Sequence, residues 1–108
     1  MRLAFAVVLF AAACGGPDVD EYVGATCIDD RDCRDSCETG GDFPGGFCTL
    51  SCIDDRDCPS DTICAEVHGG VCMFPCDVHA DCDFLGRGYA CRDRDDWAGV
   101  RVGVCIGS

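Results

Sequence analysis

The heptapeptide CIDDRDC occupies residues 27–33 and recurs verbatim at 52–58. Two thiols around three carboxylates are metal-binding residue types, so the first chemistry to weigh is a calcium site. A helix–loop–helix calcium loop needs oxygen ligands at positions 1, 3 and 5, glycine at 6 and a bidentate acid at 12. Counted from Asp30, position 5 is Arg34; counted from Asp55, it is Pro59; neither stretch carries the glycine. A third related segment, CDVHADC at 76–82, has lost the acid pair. The expectation is that Asp29, Asp30, Asp32, Asp54, Asp55 and Asp57 form Asx turns, cap short turns and keep a cysteine-rich surface soluble. Calcium binding by an acidic surface module is the alternative.

Zinc would need closely spaced thiolates, and CxxC is its strong signature. No CxxC occurs in the chain; the tightest spacing is CxxxC. No metal and no cofactor is therefore expected. A nucleophile and base pair would need a serine or free cysteine beside His68 or His79, the two histidines. Neither lies in a motif of that kind, and units of this size rarely enclose a preorganised site, so no enzyme is expected. The segment RDRDDWAGVR, residues 92–101, holds the sole tryptophan. Trp and Arg dominate binding hot spots, which makes Arg94, Asp95, Asp96 and Trp97 a candidate protein-binding loop. The competing expectation, which the thin core favours, is that Trp97 folds back over its own unit.

The elements that must position these residues follow from the cysteines. Thirteen occur in 108 residues, a density that marks a disulfide scaffold. From Cys27 they form three groups of four: Cys27, Cys33, Cys37, Cys48; Cys52, Cys58, Cys64, Cys72; and Cys76, Cys82, Cys91, Cys105. Each group opens C-x5-C with aspartate last before the second cysteine, and each ends Gly-[Phe/Val]-Cys. Starts at 27, 52 and 76 give a period near 25, a repeat architecture. Large apolar residues are sparse beyond Cys14, too few for a sizeable core, and small domains of this kind need staples. The fold class expected is small and disulfide-rich: three tandem modules at 27–51, 52–75 and 76–108, each with a short β-hairpin and little other regular structure. Hairpin strands are expected at Thr62–Ala65 and Val71–Phe74 around the turn His68-Gly69-Gly70, and at Tyr89–Arg92 and Val102–Ile106. The strands of the first module are the least legible.

The N-terminus reads MRLAFAVVLFAAAC. A basic start, a short apolar run and small residues describe a secretory signal peptide over 1–13. The cysteine after three alanines resembles the lipobox of bacterial lipoproteins, with Ala11 where that pattern favours leucine. The resemblance implies lipid on Cys14, a membrane anchor without a span, and, with Gly15 next, sorting to the outer membrane or cell surface. Removing Cys14 leaves twelve cysteines, an even number suited to six disulfides in an oxidising compartment. Residues 14–26, rich in Gly, Pro and acid, read as a flexible lipid-anchored tether. After residue 13 the chain has seven arginines, no lysine and twenty acids. Such a surface repels nucleic acid and anionic headgroups and suits a soluble, non-sticking domain or a cationic partner.

The pattern CIDDRDCPSDTIC…GGVC resembles the N-terminal cysteine-rich domain of the Dickkopf family and the short repeats of that kind in bacterial surface lipoproteins. Four cysteines allow three pairings. The resemblance implies the first with the third and the second with the fourth: Cys27–Cys37, Cys33–Cys48, Cys52–Cys64, Cys58–Cys72, Cys76–Cys91 and Cys82–Cys105. With no catalytic pattern in the chain, the function expected is a non-catalytic binding or structural module at the envelope.

Overall fold

The structure, a computed structural model, describes residues 19–108. It is a small disulfide-rich fold of three repeated hairpins. Strands β1 (Ser36–Glu38) and β2 (Phe47–Thr49) form the first, β3 (Ile63–Ala65) and β4 (Val71–Met73) the second, and β5 (Tyr89–Asp95) and β6 (Arg101–Gly107) the third. A short 3-10 turn precedes each hairpin, at Asp30–Asp32, Asp55–Asp57 and His79–Leu85. Among the described residues no helix is long and apolar enough to cross a membrane.

Six bridges join Cys27–Cys37, Cys33–Cys48, Cys52–Cys64, Cys58–Cys72, Cys76–Cys91 and Cys82–Cys105. In each hairpin the third and fourth cysteines stand directly opposite one another, as in Cys64↔Cys72. Neither N–H of that pair bonds across the ladder. The third donates into the preceding turn, and the fourth to the segment that leads into the module: Cys48 to Ala25, Cys72 to Leu50 and Cys105 to Phe74. The two side chains therefore lie side by side on one face, where each meets a cysteine of the turn-rich half. A bridge of this kind stabilises by about 2–4 kcal/mol, mainly by restricting the unfolded chain.

The CxxxC spacing between modules gives the chain continuity. After leaving one hairpin at Cys48 or Cys72, it runs on extended and bonds to the return strand of the next. Cys52 N–H donates to Gly70 O at 3.1 Å, and Cys76 N–H to Gly103 O at 2.9 Å. This contact explains the glycine before each final cysteine. A Cβ at Gly70 would lie 2.5 Å from the Cys52 carbonyl oxygen, and one at Gly46 or Gly103 would likewise collide with the carbonyl of Cys27 or Cys76.

Residues 20–26 correct the flexible-tether reading over that stretch. Val23 is 2 % exposed, Gly24 N–H donates to Cys48 O, and Ala25 O accepts from Cys48 N–H. They supply to the first hairpin the hydrogen-bonded lead-in that the other two take from the preceding module. The sparse apolar residues are pooled into one core rather than divided among modules. Phe43 and Phe47 stack at 5.4 Å, and Phe47 also meets Phe74 and Tyr89 at 6.3 and 6.2 Å. Phe43, Phe47, Met73, Val104 and Ile106 are all fully buried. The C-terminal end of β6 closes on the first module, where Gly107 N–H donates to Asp42 O.

Candidate functional site

The repeated heptapeptide is a hydrogen-bonded turn in which each aspartate has its own donor. Asp32 Oδ2 accepts from the N–H groups of Ile28 and Asp29, and Asp57 Oδ2 from those of Ile53 and Asp54. In the third copy Asp81 Oδ2 accepts from Asp77 and Val78. Asp29 and Asp54 cap the 3-10 turns by accepting from Arg31 and Arg56, and each also pairs with that arginine's guanidinium. Asp30 and Asp55 reach forward to Cys37 and Cys64 N–H at 2.8 and 2.9 Å, tying turn to hairpin. The backbone donors hold Asp32 and Asp81 below the ordinary carboxylate range, and the Arg56 side chain does so first for Asp54. These are the Asx-type caps expected of the residues. The heptapeptide's isoleucine is used for its N–H alone; the side chains of Ile28 and Ile53 are 86 % and 83 % exposed.

In the third copy the acceptor facing Cys91 N–H is His79 Nδ1, at 3.1 Å. His79 occupies the heptad position of Asp30 and Asp55, so aligning the copies locates its role, which reading it as a lone histidine does not. His68 sits at φ +50 in the second hairpin's turn. Its Nδ1 is 2.6 Å from Glu38 Oε1, its Nε2 is 3.7 Å from Asp42 Oδ2, and its ring meets buried Phe43 edge-on. It thus fastens the second module to the first. Nothing in the sequence around His68 signals this, because both carboxylates come from another module.

Cysteine sulfurs gather within 4.8 Å in each module, as at Cys52, Cys58 and Cys72. Every one of them is bonded to another sulfur and so offers no thiolate to a metal. A concavity of about 340 Å³ is lined by Asp20, Val23, Pro59, Ser60 and Asp61, and neither histidine lines it. Asp20 Oδ1 there accepts from Tyr22 and Val23 N–H.

The segment 92–101 differs from the long loop expected. Strand β5 runs to Asp95 and pairs it with Arg101, so Arg94 and Asp95 are strand residues. The turn proper is Asp96–Val100, closed by Asp96 Oδ1 accepting from Ala98 and Val100 N–H. The extra ladder length places this tip on the second module. Trp97 N–H donates to Cys64 O at 3.1 Å, and Glu66 N–H to Asp95 O at 2.8 Å. The backbone of Trp97 is fastened to the neighbouring module, and the residue is 46 % exposed. Cys14 lies outside the described residues. In comparisons with known proteins, no family model matches the chain, and no curated protein or solved structure matches it.

Proposed function

We propose that the chain is an exported, non-catalytic lipoprotein of the bacterial envelope. Lipid on Cys14 holds it at the outer membrane or cell surface, and the disulfide-stapled unit serves there as a binding or structural module. One observation carries the reading: all twelve cysteines from 27 to 105 are bridged within the unit. Such a count belongs to an oxidising compartment, and it leaves the cysteine of the AAAC motif as the odd one. The resemblance of that motif to a lipobox supports the anchor. The resemblance of the modules to Dickkopf-type cysteine-rich repeats supports a role in recognition. A tip fastened at Asp95–Trp97 with a half-exposed indole suits a protein partner.

Intact mass of the protein from native membranes, with thiol alkylation before and after reduction, tests this. The expected chain begins at Cys14, carries acyl groups and takes up alkyl groups only after reduction. A start elsewhere without lipid, or thiols that react before reduction, overturns the anchor and the scaffold respectively.

A further inference from the structure

We infer that the outer edge of β1 is a strand-addition site for an extended, basic segment of a partner polypeptide. The inference rests on reading the chain as a binding module, and is independent of the lipid anchor. The three hairpins share one hydrogen-bonding plan, so their edges can be compared position by position. In the second, the outward groups are Cys64 C=O and Glu66 N–H, and both are taken by the tip of the third hairpin, through Trp97 N–H and Asp95 C=O. The equivalent groups in the first hairpin are Cys37 C=O and Thr39 N–H. Among the described residues nothing bonds to either. The third hairpin's corresponding edge carries alternating arginine and aspartate, Arg92 to Asp95, the charged pattern that discourages strand addition. The first carries a single charge on its strand, Glu38, in place of that alternation. Thr39 is exposed, and side chains placed at Gly40 or Gly41, which follow it, would meet no atom within 4 Å.

The chemistry of the occupant follows from the neighbours. Glu38 ends the edge strand and Asp42 follows four residues on, both within reach of His68, and the whole chain carries a net charge of −12. Main-chain bonds would supply affinity, and lysine or arginine at alternate positions would face the carboxylates. The tip of the third hairpin cannot serve twice, because its own backbone groups are committed to the second module.

The test is a titration of the oxidised full chain with an acetylated, amidated peptide of alternating valine and lysine, followed by backbone amide NMR. The expected result is saturable shifts centred on the amides of Glu38, Thr39 and Gly40. Affinity should fall about tenfold on Thr39→Pro, which removes one hydrogen bond, and on N-methylation of the peptide; a valine–glutamate peptide should not bind. Shifts centred instead on Trp97 would overturn this site while leaving the binding-module reading in place. Absence of shifts anywhere would overturn it too. So would slow exchange of the Thr39 amide in the free chain, which would show that another part of the chain already covers the edge.

Discussion

The glycine pair of the second hairpin allows the close-approach argument to be separated from ordinary turn strain. Gly69 and Gly70 are adjacent and both lie at positive φ, +89 and +112. A Cβ at Gly69 meets nothing within 4 Å, whereas one at Gly70 falls 2.5 Å from the Cys52 carbonyl oxygen. Gly69→Ala should therefore lose only the backbone term, about 1–2 kcal/mol for an L-residue in the left-handed region. Gly70→Ala should lose that and a further 1–3 kcal/mol or so of overpacking, because relief requires moving the chain that carries Cys52 N–H···O=C Gly70. At about 4–8 °C per kcal/mol for a domain of this size, the two variants should differ in melting temperature by roughly 5–20 °C. Circular-dichroism melts of fully oxidised protein measure this, with bridging checked by alkylation and mass. Gly103→Ala, where φ is ordinary and the carbonyl of Cys76 is the obstacle, should be destabilised by the clash alone. Equal losses at Gly69 and Gly70, or an unaffected Gly103→Ala, would refute the claim that the recurring glycine makes room for the incoming strand.

His79→Ala should cost about 1 kcal/mol through the loss of the acceptor for Cys91 N–H, and speed exchange of that amide, while His79→Asp, which restores the residue type of the other two copies, should retain protection. Among the described residues the buried Tyr89 hydroxyl has no hydrogen-bond partner, and burial pushes its pKa up to about 12. Tyr89→Phe should accordingly raise stability by about 1 kcal/mol, since it relieves an unmet donor; a loss would mean that the hydroxyl has a partner. Asp32, Asp54 and Asp81 have folded pKa values below the unfolded value near 3.8. Their contribution is present above that value and is lost as pH falls through the lower folded values. Melting temperature should thus hold from neutral pH to about pH 5 and decline below it, with a flatter profile when all three are asparagine.

Much of the fold is legible from spacing because the constraints are local. A C-x5-C turn with aspartate at fixed offsets can satisfy its own N–H groups, and a hairpin turn demands residues that tolerate positive φ. The second hairpin accordingly falls within a residue of its expected bounds at both strands. The third hairpin is longer than its sequence suggests, because Arg92–Asp95 alternate in charge and look like a solvated loop; their ladder bonds to β6 run regardless of side chain. The first was obscured by the eight residues between its strands, which serve to carry Phe43 into the core.

By itself the sequence determined the scaffold: twelve cysteines in register, three hairpins at a period near 25, and aspartates placed to cap their own turns. Those features follow from contacts within a single module, whose bridges span 10 to 23 residues. Tertiary structure alone decided how the modules combine. The pooling of Phe43, Phe47 and Phe74, the clamp of His68 on Glu38 and the seating of Trp97 N–H on Cys64 all join groups from different modules. No local pattern encodes such contacts, because the driving force is burial of apolar surface too scarce for any module to cover alone.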